Sequence, residues 1–105
     1  MPNLHVSRAQ IDAIKHRVAL AAIAAERGLT LKRIGRQLYA LCPFHTEKTP
    51  SFKISPDLGL FHCFGCGVSG DVIGFVMRLD KVTFPEALRT LARRAGVSEG
   101  GDSWR

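Results

Sequence analysis

Four residues stand at spacings that suit a metal ion. Two residues separate Cys42 from His45, two separate Cys63 from Cys66, and 17 residues lie between the pairs. Ligands spaced in this way can both turn onto one ion. Two such pairs supply the four nitrogen and sulfur donors of a closed tetrahedral zinc site. All three cysteines of the chain belong to this set. Gly65 and Gly67 suit a loop whose amides curl toward thiolate sulfurs. The spacer reads as strand, Pro56-Asp57-Leu58-Gly59 turn, strand, which returns the second pair beside the first as in a zinc ribbon. One structural Zn²⁺ is therefore expected, held by Cys42, His45, Cys63 and Cys66. Buried cysteines acting only as small apolar residues would leave the paired spacing and the glycines without a purpose. His62 adjoins Cys63, so in an extended strand it points to the opposite face and is set aside as a ligand. His5 and His16 read as surface residues.

A catalytic zinc is the alternative to a structural one. His45-Thr46-Glu47 followed by Cys63-Phe64-Gly65-Cys66 superficially matches the His-X-Glu and Cys-X-X-Cys parts of a zinc nucleobase deaminase, with Glu47 as proton shuttle. No proline precedes Cys63. Cys42 is placed to fill the position where a catalytic zinc must keep a water. A chain of 105 residues also has little room for a layered domain around a base pocket.

Charge narrows the partners. The chain carries 15 Lys and Arg against 9 Asp and Glu, a formal charge of +6. Residues 1–53 hold nine basic and three acidic side chains, whereas residues 54–105 hold six of each. Arg27, Lys32, Arg33, Arg36, Lys48 and Lys53 are opposed locally by Glu47 alone. Such a patch attracts polyanions and makes their binding salt-dependent. The longest apolar run, Val18 to Ala25, is eight residues. A helix spanning a bilayer needs about 20, so no membrane partner is expected. The absence of a charged start followed by an apolar stretch predicts a cytoplasmic protein, where a metal is favoured over a disulfide frame.

The elements that must position these residues can be read in outline. Ser7 to Gln10 fits a capping box ahead of Ile11, Ile14 and Val18 at helical spacing. The Ala-rich stretch to Glu26 continues that helix or forms a second one, closed by Gly28. Leu29 to Ile34 and Gln37 to Leu41 predict two strands joined at Gly35-Arg36. Ser51 to Ile54 and Leu60 to Cys63 predict two more. Gly65, Gly67 and Gly70 predict a tight loop needing positive φ. Asp71 is placed to begin a helix over Val72 to Leu79. Thr83 to Glu86 is a second capping box, opening a helix that Gly96 closes. The fold class is α+β, a zinc ribbon with a small antiparallel sheet between N-terminal and C-terminal helices. Its expected divisions are an N-terminal helix at 1–17, the zinc domain at 18–97 and a mobile tail at 98–105.

At these residues the chain resembles a known family. Tyr39 to His45, Glu47 to Phe52, Phe61 to Gly67 and Gly70 to Ile73 are similar to the N-terminal zinc-binding domain of bacterial DnaG-type DNA primases, and Thr83 to Ala87 to the helix that follows. The resemblance spans Val18 to Val97. It implies a zinc ribbon that contacts single-stranded template DNA and helps a separate polymerase domain start an RNA primer. Members of that family continue into a catalytic domain. The chain stops at Arg105, so it is expected not to polymerise by itself, and to act with a primase polymerase domain or a replicative helicase supplied in trans. It is expected to be either an excised domain or a stand-alone relative, in a chromosomal, phage or mobile-element setting.

Binding a single strand takes cations along a backbone track and flat rings for stacking. The candidate cations are Arg33, Arg36, Lys48 and Lys53, and the candidate stacking groups are Tyr39, Phe61 and His62. Alternation places Lys53 outward and Phe52 inward. A phenylalanine beside a zinc knuckle more commonly packs in the core. Arg89, Arg93 and Arg94 read as an exposed helix face. The competing class is a zinc-stabilised module that docks on another replication or mobile-element protein.

Overall fold

In the computed structural model residues 8–46 and 48–96 are described. Ser7, Glu47 and the expected tail at 98–105 lie outside them. Two short helices come first, α1 (Arg8–Arg17) and α2 (Leu20–Glu26). Five strands follow: β1 (Lys32–Ile34), β2 (Gln37–Ala40), β3 (Phe52–Ser55), β4 (Leu60–Cys63) and β5 (Ser69–Asp71). They form one antiparallel sheet in sequence order. Two helices close the fold, α3 (Val72–Asp80) and α4 (Phe84–Ala95). This is the α+β architecture expected.

Local chemistry sets the boundaries. Two helices form where one was also possible: Val18 is buried between them, and Ala19 caps α2 in an extended conformation. At the end of α2, Gly28 N–H donates to Ala25 O at 3.0 Å and Leu29 N–H to Ala24 O at 3.1 Å. These paired bonds close the last turn. They commit Leu29 to the helix end, so β1 starts at Lys32 rather than at Leu29 as predicted. Gly35 stands at φ 64°, opening the two-residue turn between the partners Ile34 and Gln37. Such a turn favours glycine at its first position. Asp71 caps α3 by accepting from Gly74 N–H at 2.9 Å. Thr83 and Glu86 complete the second capping box, with bonds of 2.8 and 3.3 Å. Of Gly65, Gly67 and Gly70, only Gly67 takes positive φ. Gly70 belongs instead to β5, which the sequence reading did not anticipate.

Register divides the sheet into two unlike faces. On the inner face Ala40, Phe52 and Cys63 lie side by side, and so do Leu38, Ile54, Phe61 and Gly70. Phe52, Ile54 and Cys63 are fully buried. Phe44 and Phe75 join Phe52 and Phe61 in a four-ring cluster with centroids 5.3 to 6.1 Å apart. A Cβ at Gly70 would lie 3.3 Å from the Phe61 ring, so the bare glycine lets β5 pair against that ring without displacing it. Ile14, Leu20, Ile23, Leu88 and Leu91 extend the same core into the helices. Each such side chain stabilises the fold by roughly 1.5–3 kcal/mol. Ion pairs tie the helical side together: Arg27 bonds Asp80 through both nitrogens at 3.1 and 2.8 Å, Arg94 pairs with Glu26, and Lys15 reaches Asp71 at 3.2 Å.

Candidate functional site

The four metal-site residues converge. One donor atom from each of Cys42, His45, Cys63 and Cys66 lies within 4.8 Å of all the others. Cys42 and His45 sit on the segment leaving β2, Cys63 ends β4, and Cys66 lies on the turn beyond it. The β3–β4 hairpin brings the two pairs together. Cys63 N–H donates to Val68 O at 2.8 Å and Gly67 N–H to Cys63 O at 2.8 Å, which folds the second pair into a tight knuckle.

The geometry fits zinc. Sγ of Cys42 and Sγ of Cys66 are 3.9 Å apart. Two thiolates on one tetrahedral zinc, with bonds of about 2.3 Å, stand about 3.8 Å apart. Backbone amides point at the sulfurs: Phe44 N–H at 3.4 Å from Cys42 and Gly65 N–H at 3.3 Å from Cys63. These donors favour the thiolate that a metal needs. Burial, aided by the neighbouring sulfurs, pushes the Cys42 thiol up to about 12 despite the Phe44 amide. Burial acts on Cys63 in the same sense, but the Ser51 hydroxyl and the Cys66 and Gly65 amides outweigh it and bring Cys63 down to about 7. Three sulfurs this close resist becoming thiolates together unless a cation sits among them. A divalent ion supplies that charge and deprotonates a coordinating thiol outright. Four protein donors fill a tetrahedral ion, so no position is left for the water that deaminase chemistry requires.

The outer face of the sheet carries the other candidates. Lys32, Tyr39, Lys53, His62 and Ser69 are successive register partners, one on each strand. At a strand spacing of about 4.8 Å this row is about 19 Å long. Phe64 follows His62 by two residues and is 62% exposed. His62 packs edge-on against Phe64 with ring centroids 4.8 Å apart. The Lys53 ammonium stands 5.4 Å from the Phe64 centroid, within cation–π range.

The seven expected nucleic-acid contacts therefore divide. Tyr39, Lys53 and His62 share the row. Lys48 is exposed and borders the same face, lining a groove with Lys32 and Tyr39. Arg36 is at the β1–β2 turn, 3.9 Å from Asp57; both side chains are so exposed that the pair contributes little. Arg33 is exposed, but alternation in β1 sends it to the other side from Lys32. Phe61 is a correction. It is 2% exposed and enclosed by three rings, so no base can reach its face. The same alternation that brings His62 out turns Phe61 in. Phe64 is the residue the sequence reading missed. Counting two residues on from His62 would have found it. The charges divide too. Among the described residues Glu26, Asp71 and Asp80 are each paired with a cation on the helical side, whereas the outer row carries Lys32 and Lys53. Among the described residues no helix is long and apolar enough to cross a membrane.

Known proteins share this arrangement. The family described as CHC2 zinc finger matches residues 6–102. A DNA primase of Thermotoga maritima is 46% identical over 92 residues, which cover 88% of this chain and 16% of that protein. A DNA primase of Geobacillus stearothermophilus is 47% identical over 87 residues, covering 83% and 14%. The chain thus spans about one sixth of the length of these relatives. The crystal structure of the zinc-binding and RNA polymerase domains of the Aquifex aeolicus primase is similar with a TM-score of 0.77 and 38% identity, covering 88% of this chain and 22% of that one. With the family's motif drawn into one cluster and the fold in common, the chain belongs to the CHC2 zinc fingers, the zinc-binding domain type of DnaG-type DNA primases, and carries one structural zinc.

Proposed function

We propose that Cys42, His45, Cys63 and Cys66 hold the zinc, and that the sheet it braces is a platform for single-stranded DNA. The observation that carries this reading is the outer row of Lys32, Tyr39, Lys53 and His62, extended by the exposed ring of Phe64. Cations in line follow a phosphate backbone, and rings beside them take the faces of bases. Lys48, Arg33 and Arg36 add long-range attraction around the platform. When bound, the zinc supplies no chemistry of its own. Its ligands pin the β2 exit to the end of β4, which holds the row straight.

In this reading the domain presents template to a nucleotidyl-transferring partner and helps it start an RNA primer. That partner is an RNA polymerase domain of the primase kind, supplied in the same chain or in trans, with a replicative helicase as a further contact, and the setting is cytoplasmic. The supporting comparison is the Aquifex aeolicus primase, which joins zinc-binding and RNA polymerase domains.

The test is binding of fluorescent oligonucleotides to the zinc-loaded chain across a range of salt. The logarithm of affinity should fall linearly with the logarithm of salt, by about 0.7 for each phosphate neutralised. Lys53→Ala and Tyr39→Ala should each weaken binding. If no single strand binds at low salt, the platform reading fails and a module that docks on another protein takes its place.

A further inference from the structure

Beside the row, on the β1–β2 half of the same face, lies an apolar groove of 710 Å³. Ile34, Tyr39, Leu41 and Pro50 form its walls, and Lys32 and Lys48 stand among them. Ile34 is 56% exposed and Leu41 50%. Two large aliphatic side chains in the open, beside a tyrosine, mark a place where an apolar surface can be covered. They do not support the core, because alternation along β1 and β2 places them opposite the buried side chains.

We infer that this groove receives one unstacked nucleobase of the bound strand, with a flanking phosphate on Lys32 or Lys48. The inference rests on the platform reading above and adds a second kind of subsite to it. Charge complementarity selects the occupant, since apolar walls with two ammonium groups match a flat base carried on an anionic backbone. Continuity with the row points the same way. Tyr39 belongs to both, so a strand stacked along Lys53, His62 and Phe64 has its next bases over the groove. The lining is mostly apolar, with the Thr30 hydroxyl, Tyr39 and the two lysines as its polar groups, so the base is held chiefly by its faces.

The experiment is an abasic scan. Oligonucleotides of fixed length, each lacking one base at a successive position, are titrated against the zinc-loaded full chain and against the double variant Ile34→Ala, Leu41→Ala. One abasic position should cost the wild-type chain about tenfold in affinity, which is in the range of one base–aromatic contact. In the variant the intact strand should bind about as weakly as that abasic strand, and the penalty at that position should vanish. Both side chains are half exposed, so the variant should keep its zinc, and its metal content is measured alongside. If the wild-type chain binds and every abasic penalty survives in the variant, the groove is not a base subsite although the platform stands. If an acidic peptide fills the groove and leaves strand affinity unchanged, the groove belongs to a protein partner and the inference is overturned. If the wild-type chain binds no strand, the platform and the groove fail together.

Discussion

The two faces of the sheet use the same side chains to opposite ends. On the inner face Phe52 and Phe61 stack with centroids 5.3 Å apart, closed in by Phe44 and Phe75. On the outer face Phe64 packs against His62, has the Lys53 ammonium nearby and stays 62% exposed. Phe61 and Phe64 are three residues apart, one on each side of the sheet. Residue type does not distinguish them; position parity does. The inner ring gains its free energy on folding. The outer ring leaves its apolar face open, which in the platform reading is the face a base would take.

That contrast can be broken most severely at the metal, which both faces need. Removing zinc with a chelator, or changing Cys63→Ser, should unfold the sheet, since structural zinc is worth roughly 10–16 kcal/mol apparent at pH 7. Loss of far-ultraviolet circular dichroism on chelation checks this. Thiolate ligands bind protons in competition with the metal, so zinc retention should weaken as pH falls. A chelated chain that keeps its sheet would mean that the core alone suffices.

Next in size is the pair of phenylalanines. Phe61→Ala should cost about 3–5 kcal/mol in stability. Phe64→Ala should cost no more than about 0.5 kcal/mol in stability and about 1–3 kcal/mol in strand binding. Urea titration and oligonucleotide binding on both variants separate the effects. Equal stability losses would erase the distinction between the faces. Smaller still, Lys53→Ala should lower the salt slope of binding by about 0.7 without moving the urea midpoint.

Much of this division was legible in the residues. Cys42, His45, Cys63 and Cys66 were readable because a metal demands fixed donor types at fixed spacing. β3 was readable because Ser51 to Ile54 alternates, and the caps at Asp71 and Thr83 were readable because capping is a contact within four residues. β5 was not, since Ser69-Gly70-Asp71 has no apolar alternation. It becomes a strand only because the knuckle returns the chain alongside β4. Phe61 was misjudged because the alternation that turns His62 outward was not applied to it, and Phe64 was passed over because a phenylalanine beside a zinc knuckle more commonly packs in the core. The groove was not legible either, because it joins β1, β2 and the 48–50 segment, which lie apart in the chain.

The smallest effect concerns a helix remote from both faces. The Thr83 amide and hydroxyl hold the Glu86 carboxyl below the usual carboxylate range. A folded-state value below the unfolded one stabilises above the ordinary carboxylate pKa, and the gain is lost as pH falls through the folded value. The urea-midpoint gap between the wild-type chain and Glu86→Gln should be largest at neutral pH and close in acid. The comparison is made at pH values where measured metal content shows that both proteins keep their zinc.

Gly70 and Phe61 have a consequence for how this sequence can vary. The ring of one fills the volume that a methyl on the other would need, and three further rings hold it in place. The two positions are therefore coupled: an alanine at 70 is better accommodated once a slimmer residue stands at 61, where its methyl fills part of the space the ring has left.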